Sequence, residues 1–199
     1  MVGRAGTVFA EQGLANLPNV LTFIRILLVP VLVLFLMHPG RAASAMASLT
    51  FFLACLSDFF DGYLARRWNL STTLGKLLDP LADKLIVAAA LIMLVGMNRE
   101  PAVPAWMAVV IIGREIAVTG LRAIAVGEGV VLAAEELGKY KMVFQMFALQ
   151  GLLLHYDFLG IDFHVGGMYF LWISMVIGVW SGVDYHVKVI RQIMGQGTY

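Results

Sequence analysis

Apolar runs of about 20 residues recur along this chain, and they constrain its fold more than any other feature. They fall at about 20–37, 42–63, 77–97, 103–123, 138–157 and 167–188. Each approaches the roughly 20 residues that a helix needs to cross about 30 Å of hydrocarbon. Breaks at Pro39-Gly40, Asn98–Pro104 and Asp157–Gly167 supply the turns on one side. Charged residues make up only 14% of the chain, where a soluble domain carries about 25%. The chain therefore reads as an all-α integral membrane protein with six transmembrane helices. A short interfacial amphipathic helix is expected before the first span. There Asn19 can cap a helix start, and Leu17, Val20, Leu21 and Ile24 offer an apolar face. Neither an internal repeat nor a low-complexity linker is visible, so residues 1–199 read as a single domain. No cleavable signal peptide is evident. One cysteine, Cys55, excludes an intrachain disulfide and reads as packing.

The basic residues orient the spans. With an inside N-terminus, four regions face inside: both tails and the junctions of spans two and three and of four and five. Arg4, Arg66, Arg67, Lys76, Arg122, Lys139, Lys141, Lys188 and Arg191 lie in those regions or at the span ends bordering them. Only Arg41 and Arg99 fall outside. That bias follows the positive-inside rule. It puts the junction of spans two and three at the cytoplasmic side of a multi-pass membrane protein.

Between spans two and three, Ser57 to Lys84 carries four of the seven aspartates: Asp58, Asp61, Asp79 and Asp83. Carboxylates beside membrane-type sequence are costly and call for a compensating partner. On helices, Asp58 and Asp61 share a face, as do Asp79 and Asp83. Two such pairs facing each other make an oxygen-rich nest for a hard cation, Mg²⁺ or Mn²⁺. Gly62, Ala65 and Gly75 keep the nearby walls thin, and Arg66 can fork onto phosphate oxygens. A second basic group follows at the inside ends of spans four and five, with Arg114, Arg122, Lys139 and Lys141. It reads either as membrane anchoring or as a pocket for a second phosphate. Glu115 needs a partner; a structural ion pair with an arginine and a functional role stand side by side. Arg25, inside span one, either snorkels or meets an anionic ligand. Trp68, Trp106, Tyr156 and Tyr185 read as interface anchors, and Trp172 and Trp180 as packing. The four scattered histidines receive no role, and helix six carries no visible chemistry.

A carboxylate-held metal pair needs an anionic substrate to bridge it, and an active site at the surface suits a donor whose tails stay in lipid. The residues by themselves suggest metal-dependent transfer of a lipid-linked phosphoryl group to a soluble phosphorylated alcohol. One aspartate is then free to act as general base.

Asp58-x₂-Asp61-Gly62-x₂-Ala65-Arg66-x₈-Gly75-x₃-Asp79-x₃-Asp83 resembles, without a departure, the defining motif of the CDP-alcohol phosphatidyltransferase family. Eight fixed positions match by chance at a given start with a probability on the order of 10⁻¹⁰. The resemblance extends from about Asn16 to the end, through N-x-P-N-x-L-T-x₂-R-x₂-L-x-P, G-R-E-I-A-V-T-G-L-R and L-G-K-Y-K. These stretches look like the branch that uses glycerol 3-phosphate. The resemblance implies CDP-diacylglycerol as donor, glycerol 3-phosphate as acceptor and CMP as leaving group. Asp58, Asp61 and Asp79 would hold the metals, two ions per site, with Asp83 near them and acting as base. Asp58, Gly62, Ala65, Arg66, Gly75 and Asp79 would bind the CDP moiety. Arg114, Arg122, Lys139 and Lys141 would hold the acceptor phosphate. The resemblance also implies a homodimer in contact with membrane lipids; no nucleic-acid partner is expected. Other acceptors, such as phosphatidylglycerol or inositol phosphate, keep the same chemistry. A divalent cation transporter is the remote alternative, against which the one-sided aspartates and the missing repeat both argue.

Overall fold

The structure, a computed structural model, describes residues 17–38, 40–68, 73–97, 101–129, 136–157 and 160–196. Its six elements are α-helices: α1 (Leu17–Leu36), α2 (Arg41–Trp68), α3 (Thr73–Gly96), α4 (Ala105–Gly127), α5 (Glu136–Leu154) and α6 (Phe163–Gln196). The expected spans overlap these helices one for one, but the ends differ. Hydropathy marks what suits lipid, whereas a helix continues until its backbone is interrupted. So α2 runs on through the aspartates to Trp68, and α6 reaches 34 residues. Stretches of α2 (Arg41–Phe60) and α6 (Phe163–Met194) are long and apolar enough to cross a membrane, and Val20–Leu36 is a shorter apolar helix. Phe52 and Leu53 on α2, and Val176, Trp180 and Val183 on α6, are exposed. Outward apolar faces of this kind are consistent with an all-α membrane protein.

Two sequence expectations shift, and a proline falls inside a helix. Leu17–Leu36 is one uninterrupted helix, so Val20, Leu21 and Ile24 sit in its opening turns rather than in a separate interfacial helix. Residues 1–16 lie outside the described residues. Asn19 is the third residue of α1, not its cap. Pro80 is the eighth residue of α3, beyond the first turn, and offers no amide hydrogen to the Lys76 carbonyl.

The chain forms two compact units that divide between Met93 and Leu94, inside α3. In the first, α1 packs along α2. Among the described residues of α2, Ser44, Ala47, Ser48, Thr50, Phe51 and Ala54 are buried; they are mostly small, and all but Thr50 recur at helical spacing. Small side chains let helix backbones come close, which lipid-side packing favours. Helix α1 buries Thr22, Arg25, Leu32 and Leu36.

In the second unit α6 packs against both α4 and α5. Glycines permit the α5–α6 contact. A Cβ on Gly167 would meet Leu152 N at 2.8 Å and Ala148 O at 2.9 Å; one on Gly151 would meet Phe163 O at 2.7 Å. At the connection between α5 and α6, His155 takes a left-handed φ of 59°. Its Nδ1 lies 3.3 Å from His164 Nδ1. Histidines nine residues apart meet because the chain reverses there, which spacing alone does not show. Trp106 and Trp172 stack edge-on with centroids 5.4 Å apart, and Trp172 and Trp180 are both exposed rather than packed inside.

Candidate active site

Helix geometry places the first half of the aspartate motif on one side of α2. Asp58, Asp61, Gly62 and Ala65 follow one another at intervals of three, one and three, within one face of a 3.6-residue period. Gly75, Asp79 and Asp83 step along α3 at i, i+4 and i+8, again close to one face. The side chains of Asp61, Arg66 and Asp79, and the surroundings of Gly62, Ala65 and Gly75, lie outside the described residues.

Asp58 and Asp83 are described, and both are half-buried. Asp58 Oδ1 is ion-paired with Arg25 Nη1 of α1 at 2.9 Å. Neither sequence reading of Arg25 named this partner. The Cys55 thiol on α2 lies within the electrostatic reach of Arg25, Asp58 and Asp83 together. Charged groups of α1, α2 and α3 therefore lie in the neighbourhood of one thiol. Lys84 does not neutralise a carboxylate in any described contact; its Nζ reaches Pro80 O at 3.4 Å. Among the described residues, no group of three or more His, Cys, Asp or Glu side chains is arranged to hold a metal ion. The oxygen-only donors of Asp58 and Asp83 have the chemistry that suits a hard divalent cation.

The basic group lies in the second unit, and the structure splits it. Arg114 Nη1 donates to Glu115 Oε1 at 2.8 Å, and Lys141 Nζ donates to the same oxygen. Arg114 Nε donates to Gly178 O and Nη2 to Ser181 Oγ, each at 2.9 Å. Glu115 thus takes a structural ion pair, with a lysine from α5 as well as an arginine. Arg114, Glu115 and Lys141 line a narrow cleft with Gln145 and Ser174, whose cavity volume is only about 10 Å³. Arg122 does not join this triad in any described contact. The Arg122 guanidinium sits over the Tyr185 ring, 5.6 Å from its centroid, and Lys139 is exposed. Tyr185 is buried with Val118, Ala125 and Val189, not an interface anchor.

Helix six does carry part of this arrangement. A Cβ on Gly178 would lie 3.3 Å from Lys141 Cδ, and one on Gly182 would lie 3.3 Å from Arg114 Nε. The two glycines form a floor across which the cations lie, and Ser181 adds an acceptor. The signal in the sequence was the run Ser174, Gly178, Ser181, Gly182, a small-residue stripe at helical spacing.

The chain has clear relatives. It is 43% identical over 189 residues to the CDP-diacylglycerol–glycerol-3-phosphate 3-phosphatidyltransferase of Bacillus subtilis (strain 168), covering 87% of this chain and 94% of that protein. It is 35% identical over 195 residues to the probable phosphatidylglycerophosphate synthase of Mycobacterium tuberculosis (strain ATCC 25618 / H37Rv), covering 96% of this chain and 90% of that one. With the CDP-diacylglycerol–glycerol-3-phosphate 3-phosphatidyltransferase of Haemophilus influenzae it shares 35% over 175 residues, or 85% of this chain and 91% of the relative. The sequence profile described as CDP-alcohol phosphatidyltransferase matches residues 15–180, a stretch that holds both the aspartate motif and the Arg114–Lys141 triad. The chain belongs to the CDP-alcohol phosphatidyltransferase family.

Proposed function

We propose that this chain transfers the phosphatidyl group of CDP-diacylglycerol to glycerol 3-phosphate, giving phosphatidylglycerophosphate and CMP. The observation that carries this reading is the set of relatives bearing that activity in their names, matched over nearly their whole length. The complete aspartate motif on α2 and α3 supports it.

Asp58, Asp61, Asp79 and Asp83 would hold divalent cations, Mg²⁺ or Mn²⁺ and two per site, which supply charge neutralisation at the donor pyrophosphate. Gly62, Ala65 and Gly75, with no bulk beyond a methyl group, let the CDP moiety lie close to the helix backbones, and Arg66 forks onto its phosphates. Asp83 takes the proton of the acceptor hydroxyl, whose oxygen bonds to the donor's β-phosphorus as the bond to CMP breaks. Arg114 and Lys141 bind the acceptor phosphate at the cleft, and Arg122 and Lys139 add positive charge on its approach. Glu115 holds Arg114 and Lys141 side by side before the phosphate arrives, because a half-buried and a buried cation so close repel.

The six helices span the bacterial inner membrane with the aspartates at the cytoplasmic face, and two chains associate as a homodimer among lipids. The profile match runs across both compact units, which supports one functional domain. The test is acceptor competition with purified protein, CDP-diacylglycerol and Mg²⁺ or Mn²⁺. Glycerol 3-phosphate should outpace inositol phosphate and phosphatidylglycerol. Faster turnover with either rival would overturn the acceptor.

A further inference from the structure

Arg25 is the largest of the fully buried side chains among the described residues, at 1% exposure. A guanidinium stays charged at any accessible pH, so it cannot escape this position by losing its proton. Burying it unpaired is costly, and its side chain has no route to water at this exposure. Asp58, with which it forms an ion pair, is 33% exposed. The pair is therefore one-sided: the cation is fixed inside the α1–α2 contact, and the carboxylate faces the more open side. Asp83 of α3 is near enough to act on the Cys55 thiol, as Arg25 and Asp58 are, so the two described carboxylates of the motif share one neighbourhood.

We propose that Arg25 is a positioning residue for Asp58: its guanidinium holds Oδ1, so that Oδ2 is presented to a divalent cation. This rests on the metal reading given above. The contact is a single-point ion pair: Nη1 lies at 2.9 Å from Oδ1 without hydrogen-bond geometry, so a charge fixed by burial is what restrains the carboxylate, and a lysine's more flexible ammonium would restrain it less. Groups that orient metal ligands in this way change metal affinity or activity about 10- to 100-fold when removed.

The test uses full-length protein in detergent and Mn²⁺ alone, with free Mn²⁺ followed by electron paramagnetic resonance. Arg25→Gln should raise the Mn²⁺ Kd by about tenfold or more. Arg25→Lys, which keeps the charge and fills most of the space, should fall between it and the wild type. In turnover assays the Mg²⁺ concentration for half-activation should rise in the same order. The KM for glycerol 3-phosphate at saturating Mg²⁺ should stay where it is. A helix-packing role alone would lower thermal stability and leave the Kd in place. A wild-type Kd in both folded variants overturns the proposal, as does one in Arg25→Lys if Arg25→Gln fails to fold. Asp58→Asn separates the two levels. If it leaves Mn²⁺ binding intact, the metal reading falls and the positioning role with it. If it weakens binding and the Arg25 variants do not, only the positioning role falls.

Discussion

Arg25 shows what a single residue hides in a sequence. An arginine inside an apolar span demands a partner, but a linear chain does not say which of the many anions supplies it. The answer, Asp58, lies 33 residues away and belongs to the motif that carries the chemistry. Glu115 is the parallel case. A nearby arginine was foreseeable as its partner, whereas Lys141 from another helix was not. Two predictions belong at this scale. Asp83→Asn should abolish turnover while leaving CDP-diacylglycerol binding largely intact, which a kinetic assay paired with an equilibrium binding assay checks. Equal loss of both would remove Asp83 from the role of base. Glu115→Gln leaves Arg114 and Lys141 without their shared anion, a loss of roughly 3 kcal/mol for a buried pair. It should lower the thermal midpoint and raise the KM for glycerol 3-phosphate more than that for the donor. An unchanged acceptor KM would make the triad purely structural.

Helices were easier to read than their ends. The apolar runs overlap all six helices of the described residues, since a run of that length and hydropathy favours a helix. The ends moved because polar residues such as Asp58 or Lys188 do not stop a helix; α2 and α6 run through them. The role of α6 was missed for a related reason. Glycine and serine carry no visible chemistry, and their use becomes apparent only when Arg114 and Lys141 are seen lying across them. Close approach also gives a sharp contrast between two neighbours. A Cβ on Gly167 would meet backbone atoms of α5 under 3.0 Å, whereas one on Gly166 would meet nothing within 4 Å. Gly167→Ala should therefore destabilise the protein by about 1–3 kcal/mol, and Gly166→Ala should not. Thermal unfolding of the two variants in the same detergent checks this, and equal midpoints would contradict the α5–α6 packing described here.

For the molecule as a whole, the fold class and the aspartate motif were legible, because hydropathy sets the first and fixed spacing on a helix sets the second. The arrangement of the basic residues was legible only in part: Arg114 and Lys141 meet, while Arg122 turns to Tyr185. Which cations share an anion depends on helix packing, not on position along the chain. Orientation in the membrane is open to a direct check, since Cys55 is the one cysteine and Cys55→Ser gives a clean background. A cysteine replacing Glu128 should react with an impermeant maleimide from the cytoplasmic side only, and one replacing Asp157 from the opposite side only. The reverse pattern would put the aspartates on the wrong face for a cytoplasmic acceptor. The most direct test of the central claim, that carboxylates of α2 and α3 jointly hold the cations of phosphatidyl transfer, is CMP release from CDP-diacylglycerol after chelation and metal re-addition. Wild-type protein should fall silent on chelation and recover with Mg²⁺ or Mn²⁺, while Asp58→Asn and Asp83→Asn should fail to recover. Release that persists without metal, or that either variant restores in full, would contradict the account.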